Sequence, residues 1–98
     1  MTRDEHLMTI AMEECAELAQ RISKALRFGM GQVQPGQPFD NRERAIEEYA
    51  HLIAAMEMIG IPLAAVPEEA IDAKREKVEK FLRYSEKLCG TIRPESTS

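Results

Sequence analysis

The chain reads as an all-α protein, a helical bundle of three main helices per chain completed by oligomerisation. Apolar residues recur at helical spacing in three long segments. Glycine and proline gather between those segments and stay out of their interiors. No stretch alternates apolar and polar residues in the way of a half-buried strand.

The first segment runs from Arg3 to Phe28, with Leu7, Ile10, Ala11, Leu18, Ile22 and Ala25 on its apolar side. The connection "GMGQVQPGQPFD" (29–40) follows and is long and irregular, a class of loop that is commonly functional or mobile. The second helix opens at Asp40, three residues before Glu43, as a capping box does. It runs to about Ile59 and stops at Gly60 and Pro62. Its later half, "HLIAAMEMI", is apolar on most sides, which places it at the centre of a homodimer or homotetramer. The third helix starts with Pro67 in its first turn and reaches about Leu88. One helical domain over 1–90 and a polar, frayed tail over 91–98 are expected.

A chain of 98 residues buries only about 60–65% of its unfolded surface, so its core is thin without a partner. Its formal net charge is −4, and no basic run stands clear of neighbouring acids, which argues against nucleic acid as a partner. No run has the length of a membrane span and the N-terminus lacks a signal-like apolar core, so a cytoplasmic protein is expected. Cys15 and Cys89 are too few and too far apart for a disulfide scaffold or a zinc motif, and read as buried free thiols.

Charged residues interrupt the apolar stripes. At about 100° per residue with Leu7 at zero, Leu18 lies near 20°, Glu14 near 340°, Glu17 near 280° and Glu13 near 240°. On the second helix, with Ala45 at zero, Leu52 lies near 340°, Glu48 near 300° and His51 near 240°, by the same count of about 100° per residue. On the third, with Ile71 at zero, Lys74 lies near 300° and Lys77 near 240°, again at about 100° per residue. A buried carboxylate requires protonation, a basic partner or a cation. Two readings follow. Either Lys74 pairs with Glu14 or Glu48 and holds the helices in register, or Glu14 and Glu17 face Glu48 and His51 around a hard divalent cation. In the second reading the lysines at 74 and 77 hold the charge of a phosphate chain.

The motifs favour the second reading. "EECAE" (13–17) has the form EExxE, and "EYAH" (48–51) stands where a second element, ExxD, would follow. With "MEECAELAQRISKALRFG", "QPGQP" and "KREKVEKFLRYSEKL", the chain resembles the MazG-like all-α nucleoside triphosphate pyrophosphohydrolases over about residues 5–88, most closely the small, often phage-associated members. The resemblance implies Mg2+ held by Glu14, Glu17 and Glu48, with Glu13 as a further ligand or water-positioning base. It implies Lys74, Lys77 and Lys80 as the phosphate contacts, and a nucleoside triphosphate cleaved to the monophosphate and pyrophosphate. The chain departs from the family at His51, which stands in place of Asp. As a ligand, His51 favours Mn2+ over Mg2+; as a bystander, it leaves either a one-metal site with a neutral neighbour to the phosphates or an impaired site, the last making the chain a helical interaction or regulatory module.

Overall fold

The helices begin where the sequence supplies caps. In the computed structural model, which describes residues 1–89 with side chains to Lys87, the Glu5 amide donates to the Thr2 hydroxyl and the Thr2 amide donates to the Glu5 carboxylate, each at 3.1 Å. This reciprocal box starts α1 (Arg3–Phe28). The helix ends at Gly29, whose φ of +96° suits a residue without Cβ and whose amide donates to the Ala25 carbonyl at 2.8 Å. Asp40 and Glu43 form a second box, and α2 (Asn41–Met58) follows. A 3-10 turn over Leu63–Ala65 leads to α3 (Glu68–Cys89). Glu68 and Glu69 in its first turn and Lys87 in its last complement the helix dipole. Among the described residues the chain is all-helical, with three α-helices and a single isolated bridge between Val33 and Asp40. The polar tail expected over 91–98 lies outside the described residues.

The chain divides into two compact units, Met1–Leu63 and Ala64–Ser98. The first is an α-hairpin. Asn41 at the start of α2 bonds to Gly29 at the end of α1, while Glu14 and His51 meet near the two midpoints, so the helices run antiparallel. The facing stripe of α1 carries Ala11, Glu14, Leu18, Arg21 and Ala25, all buried or half-buried. The facing stripe of α2 carries Asn41, Ala45, Glu48, Leu52 and Ala55, likewise buried or half-buried. Small side chains at 11, 25 and 55 let the two rods approach closely, but they bury little apolar area. The second unit contains one long helix, α3, with Ile71, Val78, Phe81 and Leu82 on its apolar side.

Large apolar side chains lie outside the hairpin interior. Met12 is 72% and Leu26 is 85% exposed, Met8 and Ile22 are exposed as well, and Cys15, expected to be a buried thiol, is exposed because it lies on this outer side of α1. The apolar side of α1 therefore divides. Leu7, Ala11, Leu18 and Ala25 turn toward α2, whereas Ile10 and Ile22, which the periodicity groups with them, are exposed. Each such side chain left in water forgoes about 1.5–3 kcal/mol of burial.

The 29–40 connection is tied down at its base. The Asn41 amide side chain, in a residue only 2% exposed, donates to the Gly29 carbonyl at 2.9 Å and to Gln32 Oε1 at 3.2 Å. The backbone amides of Asn41 and Arg42 donate to Gln32 and Met30, and the Arg44 guanidinium donates to Gln34 Oε1. These bonds replace the loose segment that the glycine and proline content suggests. Replacing Asn41 by Ala removes the shorter of the two bonds to the Gly29 carbonyl, leaving the Gln32 amide at 3.4 Å, and also the bond to Gln32 Oε1; it is expected to cost about 1–3 kcal/mol. Denaturant unfolding measures that loss, and hydrogen exchange in 29–34 should quicken with it. An unchanged midpoint and unchanged exchange would show that the side chain does not hold the loop.

Candidate metal centre

Glu14 is brought to the hairpin seam because it lies one turn beyond Ala11 on the stripe that packs against α2, and Glu48 because it lies midway between Asn41 and Ala55. Their side chains are 24% and 11% exposed. His51, one turn on from Glu48, stands at the rim with its side chain 52% exposed. Its Nδ1 lies 3.4 Å from Glu48 Oε2 and 3.9 Å from Glu14 Oε2. Each of the three residues offers a ligand atom within 4.8 Å of the others.

Charge is poorly satisfied here. Glu14 Oε2 and Glu48 Oε1 are shut off from solvent and accept no hydrogen bond among the described residues. Two buried oxygens without a donor make a costly arrangement, and a proton between the carboxyls is one remedy. The Glu14 carboxyl accordingly titrates above the ordinary carboxylate value. The main cause is Glu48, which accepts a hydrogen bond from Glu14 only when Glu14 is protonated; desolvation and the Glu48 charge act in the same direction, and the His51 charge opposes them. A divalent cation is the other remedy, since it supplies positive charge to both orphaned oxygens at once. Two carboxylates and an imidazole form an O,O,N donor set, which suits Mn2+ better than an all-oxygen cage would and leaves coordination places open. The residues present thus fit a divalent ion.

The other residues singled out by the sequence lie elsewhere. Glu13 and Glu17 flank Glu14 on α1, both exposed and outside the group of converging donors. Glu17 was expected among the metal ligands; at three residues beyond Glu14 it turns away from α2 toward solvent. Lys74, Lys77 and Lys80 sit together on α3 in the second unit, lining a shallow groove with Ala70 and Ala73. Within the hairpin, the basic group that approaches Glu14 and Glu48 is His51. Sequence reasoning did not single out Arg21 and Arg44, which are half-buried on the seam toward the loop from the acids. Their signal was present as cations on the same helical faces as Glu14 and Glu48.

No protein-family model, curated protein or solved structure matches the chain.

The sign of the pH dependence follows from the raised Glu14 value. Stability that depends on the Glu14 proton is complete below the ordinary value of 4.5 and is lost as pH rises through the raised one. In metal-free protein the melting temperature is therefore expected to fall as pH increases from about 4.5 upward. Glu14→Gln, whose amide donates at every pH, should remove that part of the fall and melt higher than the wild type at neutral pH. Parallel curves for the two proteins, recorded by circular dichroism, would count against the shared proton.

Proposed function

We propose that the chain is a metal-dependent nucleoside triphosphate pyrophosphohydrolase that converts a ribo- or deoxynucleoside triphosphate to its monophosphate and pyrophosphate. The observation that carries this reading is the convergence of Glu14, Glu48 and His51 around two carboxylate oxygens that nothing in the hairpin satisfies. The resemblance of "EECAE" and "EYAH" to the paired acidic elements of the MazG-like family supplies the chemistry.

Glu14 and Glu48 hold Mg2+ or Mn2+ between α1 and α2, with His51 as the third donor. When bound, the ion offsets the charge of the triphosphate, orients it and lowers the pKa of an attacking water. Glu13 and Glu17, one residue before and three after Glu14 and open to solvent, stand where an incoming polyanion arrives with its own cations; Glu13 is the candidate base for the water proton. The resemblance gives Lys74, Lys77 and Lys80, on α3 of the second unit, the part of phosphate contacts. This is the role that the lysines take in our reading, in place of an ion pair with the buried acids.

One observation favours a second reading. His51 occupies the place of an acid and Glu17 is outside the donor group, which leaves two carboxylates there, Glu14 and Glu48, out of the five acids of the EExxE and ExxD pattern. On this reading the hairpin is a regulatory or interaction module with a weakened ion site.

Pyrophosphate release measured with each NTP and dNTP, under Mg2+ and under Mn2+, separates the two. Activity with at least one nucleotide is expected, higher with Mn2+, and Glu48→Gln should abolish it. Mn2+ affinity measured by calorimetry, which does not depend on turnover, should fall about 10–100-fold or more in the same variant. His51→Asp should raise activity with Mg2+ relative to Mn2+. Silence with every nucleotide and both ions, with Mn2+ binding intact, leaves the module reading; loss of both ends the metal centre itself.

A further inference from the structure

The seam holds a second cluster, opposite in sign to the first. Arg21 and Lys24 on α1 and Arg44 on α2 are half-buried, and none has a carboxylate within salt-bridge distance among the described residues. Asn41 meets Gly29 and Glu48 meets Glu14, so the antiparallel register sets Arg44 level with the turn of α1 that carries Arg21 and Lys24. Two helical turns separate Arg21 from Glu14 and Arg44 from His51, so each arginine stands within about 20° of its counterpart at the acidic rim. Arg21 lies about 10 Å along α1 from Glu14, and Arg44 about 6 Å along α2 from Glu48. Cations gathered at a half-buried seam without a counter-charge repel one another, and an anion relieves them.

Arg44 is held in place by a neutral partner. Its Nη1 donates to Gln34 Oε1 at 3.2 Å, and Gln34 Nε2 donates to Asn41 Oδ1 at 3.5 Å. Gln34 is fixed in turn by the loop. The Gln37 amide donates to the Gln34 carbonyl at 3.0 Å, with Pro35 second and Gly36 third in that turn. The Gly36 φ of +79° makes it a type II turn, and a bridge between Val33 and Asp40 closes it from behind. A glutamate at 34 would make the stronger bond to Arg44 and cancel its charge. Glutamine orients the guanidinium, leaves the charge available and leaves most of its five donors open.

We infer that Arg21 and Arg44 bind a phosphate group of a polyphosphate chain, and that Gln34 is the positioning residue through which the 29–40 connection sets that affinity. The identity of the anion rests on the reaction proposed above; the cation cluster and its hold by Gln34 do not require an ion at the acidic rim. The connection thus acts on binding through one side chain.

Calorimetry with inorganic pyrophosphate and metal-stripped protein reads the cluster by itself. The unmodified chain should bind, and Arg21→Gln and Arg44→Gln should each weaken binding about tenfold or more. Gln34→Glu separates positioning from support. Its charge-assisted bond to Arg44 should keep the melting temperature at or above that of the unmodified chain, while pyrophosphate binds about tenfold or more weakly. Gln34→Ala should melt lower and also bind more weakly. Unchanged affinity in Gln34→Glu, or a loss that merely follows a lower melting temperature, overturns the positioning role. Unchanged affinity in both arginine variants overturns the site. Absence of pyrophosphate binding to the metal-stripped chain overturns it too, and leaves the proposed reaction to be judged by turnover and Mn2+ affinity. If an arginine variant does not fold, Gln34→Glu decides alone, since both arginines are then in place.

Discussion

The hairpin is organised around two carboxylates that share one seam without enough donors. Glu48 is the most enclosed ionisable side chain of α2, and Glu14 meets it from α1. Neither helix can turn away without withdrawing its alanines from the interface, since Glu14 shares a stripe with Ala11 and Ala25, and Glu48 shares one with Asn41 and Ala55. The close approach of the rods and the confinement of the acids therefore have one cause. A fold that stabilised only itself would place leucine at 14 and 48. The electrostatic cost of retaining acids there is intelligible where a proton or a cation is taken up in return.

The same alanines explain why the outer surface of the hairpin is so apolar. An interior of small residues positions backbones well and removes little apolar area from water, so the driving force for a compact state must come from other faces. Methionine, isoleucine and leucine at 8, 12, 22 and 26 carry that unused area. The acidic rim and the exposed apolar stripe thus lie on different sides of the hairpin, and the connection is pinned at 29–34 by its bonds to the start of α2. Asn41 joins both roles, since it lies on the packed stripe and its side chain closes the loop.

His51 bears most directly on which chemistry the site supports. An aspartate at this place would add a third negative charge to a seam already short of donors. Imidazole adds a donor atom without a charge, or a charge of the opposite sign when protonated, and so reduces the repulsion. The direct evidence is geometric, namely the 3.4 Å and 3.9 Å approaches of Nδ1 to the two carboxylates.

Helix bounds were legible in the sequence because they are set by local chemistry. Asp40 with Glu43 and the glycines at 29 and 60 each act within one turn, and the three helices begin and end within about a residue or two of where those signals place them. That acids interrupt a packed stripe was equally plain from angular position. Which of them meet was not. Glu14 and Glu17 are equivalent to a motif, yet Glu17 is exposed and outside the donor group while His51, at the same separation from Glu48, is within it, so spacing alone does not decide between them. The apolar residues of α1 posed the same difficulty, since a helical wheel shows one broad arc and the contact with α2 divides it into an inner and an outer stripe. Sequence by itself determined the helices and their charged interruptions, whose causes lie a few residues apart along the chain. Tertiary structure decided which side chains share a seam, because that depends on how two rods set their rotation against each other.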